Sequence, residues 1–309
     1  MTNYGHELQF GVFATPVAEP ATHAVELAQV AEAAGLDLIT FQDHPYNPQF
    51  LDTWTLISYA ASVTSSIRLA GNVLNLPLRD PVQLARAAAS LDRLSGGRIE
   101  LGIGAGAFWD GIGAMGGKNL TAGQSIEALE EGIALMREIW NADEPTSVST
   151  DGAHYPVNAA QRGPKPAHEI GIWVGAYKPR ILRLTGRLAN GWLPSLGYLP
   201  DGPASLAAMN AEIDGAAIAA GRQPSDIRRM LNINGRFLQQ ERGLFQGPAE
   251  TWARQIVELN RDYGISTFIL AADDPQTVAL FGTVIAPMAR EQAAGETMVT
   301  AAAEQQPAN

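Results

Sequence analysis

The chain has five histidines and no cysteine. One of the histidines, His44, follows an apolar run in the segment Gln42-Asp43-His44-Pro45-Tyr46. An imidazole titrates near neutrality, so it can give a proton to a reacting group or take one from it. His44 reads either as such a group or as a surface side chain before Pro45. Asp43 beside it can carry charge or orient a partner, although neighbouring strand residues point to opposite faces. Further along, Asn72, Val73 and Asn75 close another apolar run. An amide offers both donor and acceptor, so the two asparagines either hydrogen-bond a polar ring edge or cap a loop. Gly102, Gly104, Ala105 and Gly106 form a small-residue turn leading to Phe108, Trp109 and Asp110. Glycines after a strand allow close backbone approach to a ligand, with Phe108 and Trp109 as walls. The alternative is an ordinary mobile glycine-rich loop. A dinucleotide fingerprint is only loosely met, because further glycines follow and the next helix opens only near 123–125. Gly175, Ala176, Tyr177, Lys178 and Arg180 stand where a helix begins at Pro179. Free amides and two cations there read as an anion site or as a solvated helix start.

These residues need elements to position them, and one unit recurs along the chain. A short apolar run, a polar turn and a stretch of helical period repeat eight times. The strands are expected near 10–14, 38–41, 68–74, 98–103, 171–174, 192–193, 230–234 and 267–271. Alternating βα units imply a parallel sheet, and eight of them in about 290 residues fit a closed (β/α)8 TIM barrel, with a doubly wound sheet as the alternative. The pattern breaks after the fourth helix. Residues 141–169 have no long helical period and read as an insertion built on a hairpin. The expected domain is 8–290, with a tail at 291–309 that frays or meets a partner. In a closed barrel, function sits at the C-terminal strand ends. His44 is the one histidine expected there.

Composition narrows the classes. The net charge is −11 and the pI about 4.9, which argues against a general nucleic-acid binder. No apolar run reaches membrane-spanning length, and the N-terminus lacks a signal-peptide pattern. Without cysteine there is no disulfide framework or thiol catalysis, which fits a cytoplasmic protein. No histidine, cysteine or carboxylate spacing suggests a metal, and neither a nucleophile elbow nor a Walker loop is present. Lysine occurs only at positions 118, 165 and 178, which makes Lys178 conspicuous beside the fifth strand end.

Longer segments carry a resemblance. Gln42-Asp43-His44-Pro45, Leu69-Ala70-Gly71-Asn72-Val73-Leu74-Asn75 and Leu94-Ser95-Gly96-Gly97-Arg98-Ile99-Glu100-Leu101-Gly102-Ile103-Gly104 resemble the bacterial-luciferase-like oxidoreductases. Ala189-Asn190-Gly191-Trp192 and Tyr263-Gly264-Ile265-Ser266-Thr267-Phe268 extend the similarity over about 8–290. The resemblance implies a TIM barrel that holds the deazaflavin coenzyme F420, or FMN, at the strand ends. An Asp-His pair after the second strand is common among the deazaflavin members. A non-proline cis peptide backs their ring and would fall at Asn72-Val73. The ring would rest against Asn72, Val73 and Gly104 to Gly106. Gly175, Ala176, Tyr177 and Lys178 would take the phosphate side. His44, with Asp43, would serve proton transfer beside hydride transfer. Phe108, Trp109 and Asp110 would wall the substrate pocket. The sugar-phosphate dehydrogenase members carry a catalytic Glu where this chain has Ala107, and a Trp near the position of Pro48. Their substrate is therefore not carried over. The resemblance leaves three expectations: an F420-dependent oxidoreductase of a small organic molecule, an FMN monooxygenase fed by a separate reductase, or a non-catalytic flavin-binding protein. Members often form homodimers.

Overall fold

The computed structural model describes residues 4–304. Eight parallel strands make up the barrel: β1 (Gln9–Ala14), β2 (Leu38–Phe41), β3 (Arg68–Gly71), β4 (Ile99–Gly104), β5 (Ile172–Val174), β6 (Gly191–Trp192), β7 (Arg228–Ile233) and β8 (Thr267–Ala271). Each strand pairs with the next, and β8 pairs with β1, so the sheet closes. The doubly wound alternative is thereby excluded. Helices separate the strands: α1 (His23–Ala33), α2 (Thr53–Val63), α3 (Pro81–Ser95), α4 (Ala122–Trp140), α5 (Pro179–Leu188), α6 (Ser205–Ala219) and α7 (Ala249–Tyr263). After β8, Pro275–Leu280 runs through a π turn at Phe281–Ile285 into the helix Ala286–Glu304. Asp37 pairs with Arg290 at 2.6 Å and ties this helix to the barrel. Of the 291–309 tail, residues 305–309 lie outside the described residues.

Local chemistry fixes the helix ends. The Asp52 carboxylate accepts from the Thr55 amide, and Asp80 accepts from Val82 and Gln83 ahead of Pro81. Thr121 and Gln124 form a reciprocal capping box on α4.

Strand alternation divides the interior into two cores. Phe10, Val12, Ile39, Leu101, Ile103, Leu231 and Phe268 point outward to the helices. Leu38, Ala70, Trp173, Leu193, Met230 and Ile269 point inward and plug the barrel, with Phe13 and Val73 packed on them. A polar layer lies next toward the C-terminal end. The Thr40 hydroxyl donates to the Val12 carbonyl at 3.0 Å and accepts from Asn72 Nδ2 at 3.0 Å. Asn72 and Asn232 exchange amide hydrogen bonds across the barrel at 2.7 and 3.1 Å, and Asn232 also donates to Ser195 Oγ. A water-excluding plug thus supports a fully bonded polar floor beneath the strand ends.

Two segments differ from the sequence expectation. The third strand does not run continuously to Leu74. A cis peptide at Asn72-Val73 interrupts it, and Leu74–Asn75 resumes pairing with β4. The glycine-rich stretch after β4 is not an unstructured loop. Trp109–Ala114 forms a short helix anchored by fully buried Ile112. Within 141–169, Val148–Thr150 and Val157–Ala160 pair as an antiparallel ribbon separate from the barrel sheet, as the hairpin reading expects.

Candidate active site

The segment after β2 gives two adjacent side chains separate sets of partners. Asp43 is buried. Its carboxylate takes Arg79 Nη2 at 2.8 Å and Nε at 3.1 Å, and accepts from the Asn75 amide at 2.7 Å. Arg79 also donates to Asp52 at 3.0 Å. A bidentate pair of this kind joins the β2 and β3 ends in one geometry. Both oxygens of Asp43, expected beside the chemistry, are engaged by Arg79 and the Asn75 amide, so the side chain also ties these segments together.

His44 is turned toward the barrel mouth. Its Nδ1 lies 2.5 Å from the Tyr46 hydroxyl, and Nε2 has no partner among the described residues. Phe108 meets the imidazole edge-on at 5.1 Å between centroids, and Tyr46 does so at 5.4 Å. Burial pushes the imidazole below its usual pKa of 6.5, against the opposing pull of the Asp43 charge. Burial, helped by Asp43, pushes the Tyr46 phenol up to about 12. Tyr46 thus stays protonated and can donate to Nδ1 of a neutral imidazole. The ring's own proton then sits on Nε2, at the unpartnered side.

Val73 is the other half of the site. Beyond the cis peptide its side chain projects inward over the end of β4 and β5. A Cβ at Gly104 would come within 2.8 Å of Val73 Cγ2, and one at Gly175 within 3.6 Å of both its methyls. At Gly102 a Cβ would sit 2.1 Å from the Gly71 carbonyl oxygen. Alternation turns Gly102 and Gly104 inward, so their missing side chains leave an apolar ledge topped by Val73. Such a ledge fits the face of a planar ring system. Asn72, expected to contact a ring with its amide, instead bonds Asn232 and Thr40 from below.

The remaining candidates frame this ledge. Phe108 is 56% exposed and stands over His44 and Tyr46. Gly106 has φ +96°, and a Cβ there would meet Pro77, Trp109 and Ile112 within 3.2 Å. Trp109 is thus folded back on the turn containing Ala105 and Gly106, while Asp110 is exposed. Across the mouth, the Tyr177 hydroxyl accepts from the Ser195 amide at 2.8 Å, and Ala176 accepts from Trp192 Nε1 at 2.9 Å. Lys178 is exposed at the start of α5. Arg180 pairs with Glu127 at 2.8 Å, so the second cation of the expected anion site is neutralised. A cavity of about 420 Å³ opens at the ends of β7 and β8, lined by Asn234, Gly235, Arg236, Gln246 and Ala271. Among the described residues no cluster of His, Asp or Glu could hold a metal, and no helix is long and apolar enough to cross a membrane.

Sequence reasoning did not single out Tyr46, Arg79, Asn232 and Ser195 as site residues. An asparagine at an inward position of an otherwise apolar strand was the available signal for Asn232. Arg79 gave none, because its partner lies 36 residues away.

Residues 2–235 match the luciferase-like monooxygenase family. The chain is 30% identical over 258 residues to a phthiodiolone/phenolphthiodiolone dimycocerosates ketoreductase of Mycobacterium tuberculosis. That match covers 76% of this chain but only 64% of the ketoreductase. It is also 30% identical to an F420-dependent glucose-6-phosphate dehydrogenase of Mycolicibacterium fortuitum, over 74% of this chain and 68% of the other. An F420-dependent secondary alcohol dehydrogenase in complex with an F420-acetone adduct superposes with a TM-score of 0.80. It is 19% identical, with 92% of this chain and 99% of the other covered, a likeness of fold.

Proposed function

The chain belongs to the luciferase-like monooxygenase family, and from that premise we propose that it is an oxidoreductase using coenzyme F420 to move hydride to or from a small organic substrate. The observation that carries this reading is the Val73 ledge beside an imidazole whose Nε2 is unpartnered. A flat ring needs one dry apolar face and little else from the protein at its centre. Val73, Gly104 and Gly175 provide that face, and Ala105, Gly106 and Asn72 border it. Gly175, Ala176, Tyr177 and Lys178 are assigned to the phosphate-bearing side, with Lys178 as a cation that has no carboxylate partner among the described residues. When bound, the deazaflavin supplies the hydride chemistry at its C5 carbon, and the protein supplies orientation and exclusion of water.

His44 handles the accompanying proton at Nε2. Lowered by burial, it is neutral near pH 7 and carries that proton where a substrate oxygen can meet it. Tyr46 holds the ring from behind, and Asp43 with Arg79 holds the loop. Phe108 covers the imidazole from the solvent side, and the β7–β8 cavity is the substrate's approach. Ala107 leaves no carboxylate at its position, so His44 works without the acid of the sugar-phosphate enzymes. The named substrates of the relatives are not transferred to this chain.

Titrating the purified protein with F420 and with FMN tests the cofactor. Tight binding of F420 is expected, and binding of FMN alone would overturn the assignment. FMN monooxygenase chemistry is the second reading, favoured by the description of the matched family. Oxygen uptake matched by hydroxylated product, with reduced FMN supplied, distinguishes it.

A further inference from the structure

The chain carries 32 acidic residues against 21 basic ones, so a cation here has carboxylates to choose from. Among the described residues every arginine but two donates its guanidinium to a carboxylate or a carbonyl. The two are Arg236 and Arg242, and both stand on the excursion that follows β7, residues 234–247. The carboxylates on this excursion and just after β8 are already engaged. Glu241 holds Arg254 at 2.9 Å, and Asp273 accepts from the Thr15 amide and hydroxyl at 2.7 and 2.8 Å. Asp274 caps the helix Pro275–Leu280 through the Thr277 amide. The excursion itself is firmly held. Phe237 and Phe245 pack on Trp252 of α7 at 4.6 and 5.0 Å between ring centroids, and the Phe245 amide donates to Gln255 Oε1 at 2.7 Å. Arg236–Phe237 pairs with Gln246–Gly247, and the Arg236 amide donates to the Phe245 carbonyl at 2.8 Å. Gly235 permits this approach, because a Cβ there would lie 2.0 Å from the same carbonyl oxygen. The backbone under Arg236 is therefore fixed while its charge is left uncommitted.

Arg236 lines the cavity of about 420 Å³ at the ends of β7 and β8, together with Asn234, Gly235, Gln246 and Ala271. No carboxylate stands in that wall. The Asn234 and Gln246 side chains have no partner among the described residues, so the wall offers one guanidinium and two amide donors. A guanidinium fork matches a carboxylate through two parallel N–H···O bonds. We infer that this cavity is a carboxylate subsite, in which Arg236 selects a substrate whose carboxylate is remote from the carbon that is oxidised or reduced. The inference rests on the mouth being an oxidoreductase site, since it assigns the substrate class of that site. One cation in the wall suits a monoanion. A phosphate monoester would bring a second charge with no second guanidinium in the lining. Arg242 lies outside the lining and adds to the local potential that draws an anion to a chain of net charge −11. With its carboxylate on Arg236, a short oxo or hydroxy acid keeps its other end for the His44 side of the mouth.

The test is calorimetric titration of the protein, with and without the cofactor it binds, against straight-chain oxo acids of graded length and their primary amides. Each acid and its amide differ in the charge of one end group. At least one acid should bind about tenfold to a hundredfold more tightly than its amide, the range for hydrogen bonds to a charged group. Arg236→Met should bind that acid and its amide within about twofold of each other. Arg236→Lys, which keeps the charge but loses the fork, should fall between the two. Arg183→Met removes a charge paired with Glu212 between α5 and α6 and should keep the wild-type preference. The Arg236 side chain is exposed and bonds nothing among the described residues, so melting temperatures of its variants should match the wild type. No preference for an acid at any length overturns the inference without any variant. A preference that survives in Arg236→Met places the anion elsewhere and overturns it too. Tighter binding of the phosphate monoester of matched length, lost in Arg236→Met, overturns the carboxylate assignment. Failure to bind either F420 or FMN defeats the oxidoreductase reading itself, whereas absence of acid preference in a protein that binds its cofactor defeats the carboxylate subsite alone.

Discussion

At the residue scale, His44 and Tyr46 form the pair that the proton chemistry depends on. Replacing His44 by Asn keeps a polar group of similar size but removes the titrating nitrogen. Turnover is expected to fall about 10²- to 10⁴-fold, the usual range for a positioned acid or base. Cofactor affinity should change little, since Val73 and its glycines make the ledge. Unchanged turnover in steady-state assays would remove His44 from the mechanism. The pH dependence follows from the direction of its shift. Burial lowers the imidazole below 6.5, so the neutral form persists through neutrality and is lost only on acidification past that value. The acidic limb of the kcat/KM profile should therefore lie below pH 6.5. A limb centred above pH 7 would contradict the assignment. Tyr46→Phe removes the bond to Nδ1 while keeping the ring contact. It should lower kcat rather than raise KM, because it disturbs the imidazole and not the substrate.

At the element scale, the site exists because β3 and β4 end in an unusual way. Gly104→Ala would bring a Cβ within 2.8 Å of Val73 Cγ2, a side-chain atom that can yield. The expected stability loss is about 1–3 kcal/mol, with displacement of Val73 and at least about tenfold weaker binding of the ring cofactor. Gly102→Ala meets the Gly71 carbonyl oxygen at 2.1 Å, which is backbone and cannot yield. It should cost more stability, and thermal melts of the two variants give the order. Arg79→Met would leave Asp43 buried without its cation, and removing one partner of a buried pair costs about 3–5 kcal/mol. These elements also show what a sequence can and cannot reveal. Leu38–Phe41 and Thr267–Ala271 carry strong local signals and were readable to the residue. Asp52 and Pro81 mark helix starts for local steric and hydrogen-bonding reasons. The inward turn of His44 follows from position at a strand end. The Asp43–Arg79 pair, the Asn72–Asn232 bridge and the Tyr46 contact depend on long-range or loop geometry, which no local pattern encodes. The Trp109–Ala114 helix was missed because its glycines read as loop, while buried Ile112 fixes it from the tertiary side.

At the scale of the whole molecule, the apolar plug separates two polar ends with opposite histidine behaviour. His44 occupies the C-terminal end, and His168 the N-terminal end. The His168 ring lies 2.8 Å from Asp92 through Nδ1 and 3.5 Å from Glu100 through Nε2. Glu100 also receives Arg68 at 3.2 Å and the Gly171 amide at 2.6 Å. Hydrogen bonding to Glu100 raises the His168 pKa above 6.5 despite partial burial, with both carboxylates adding to the effect. A raised folded-state pKa means the native protein binds the proton more tightly than the unfolded chain does. The resulting stability is fully present below about pH 6.5 and is lost as pH climbs through the folded value. His168→Gln retains a donor for Asp92 but carries no charge. Melting temperatures of wild type and His168→Gln, taken from pH 5.5 to 8.5, should differ most at the acidic end and converge toward the alkaline end. A difference that is constant or that grows with pH would rule out this linkage. Turnover of the variant should follow the wild-type pH profile, because the plug of Leu38, Trp173, Met230 and Ile269 lies between the two ends. Stability and catalysis are thus expected to titrate independently, each governed by one histidine at one face of the barrel.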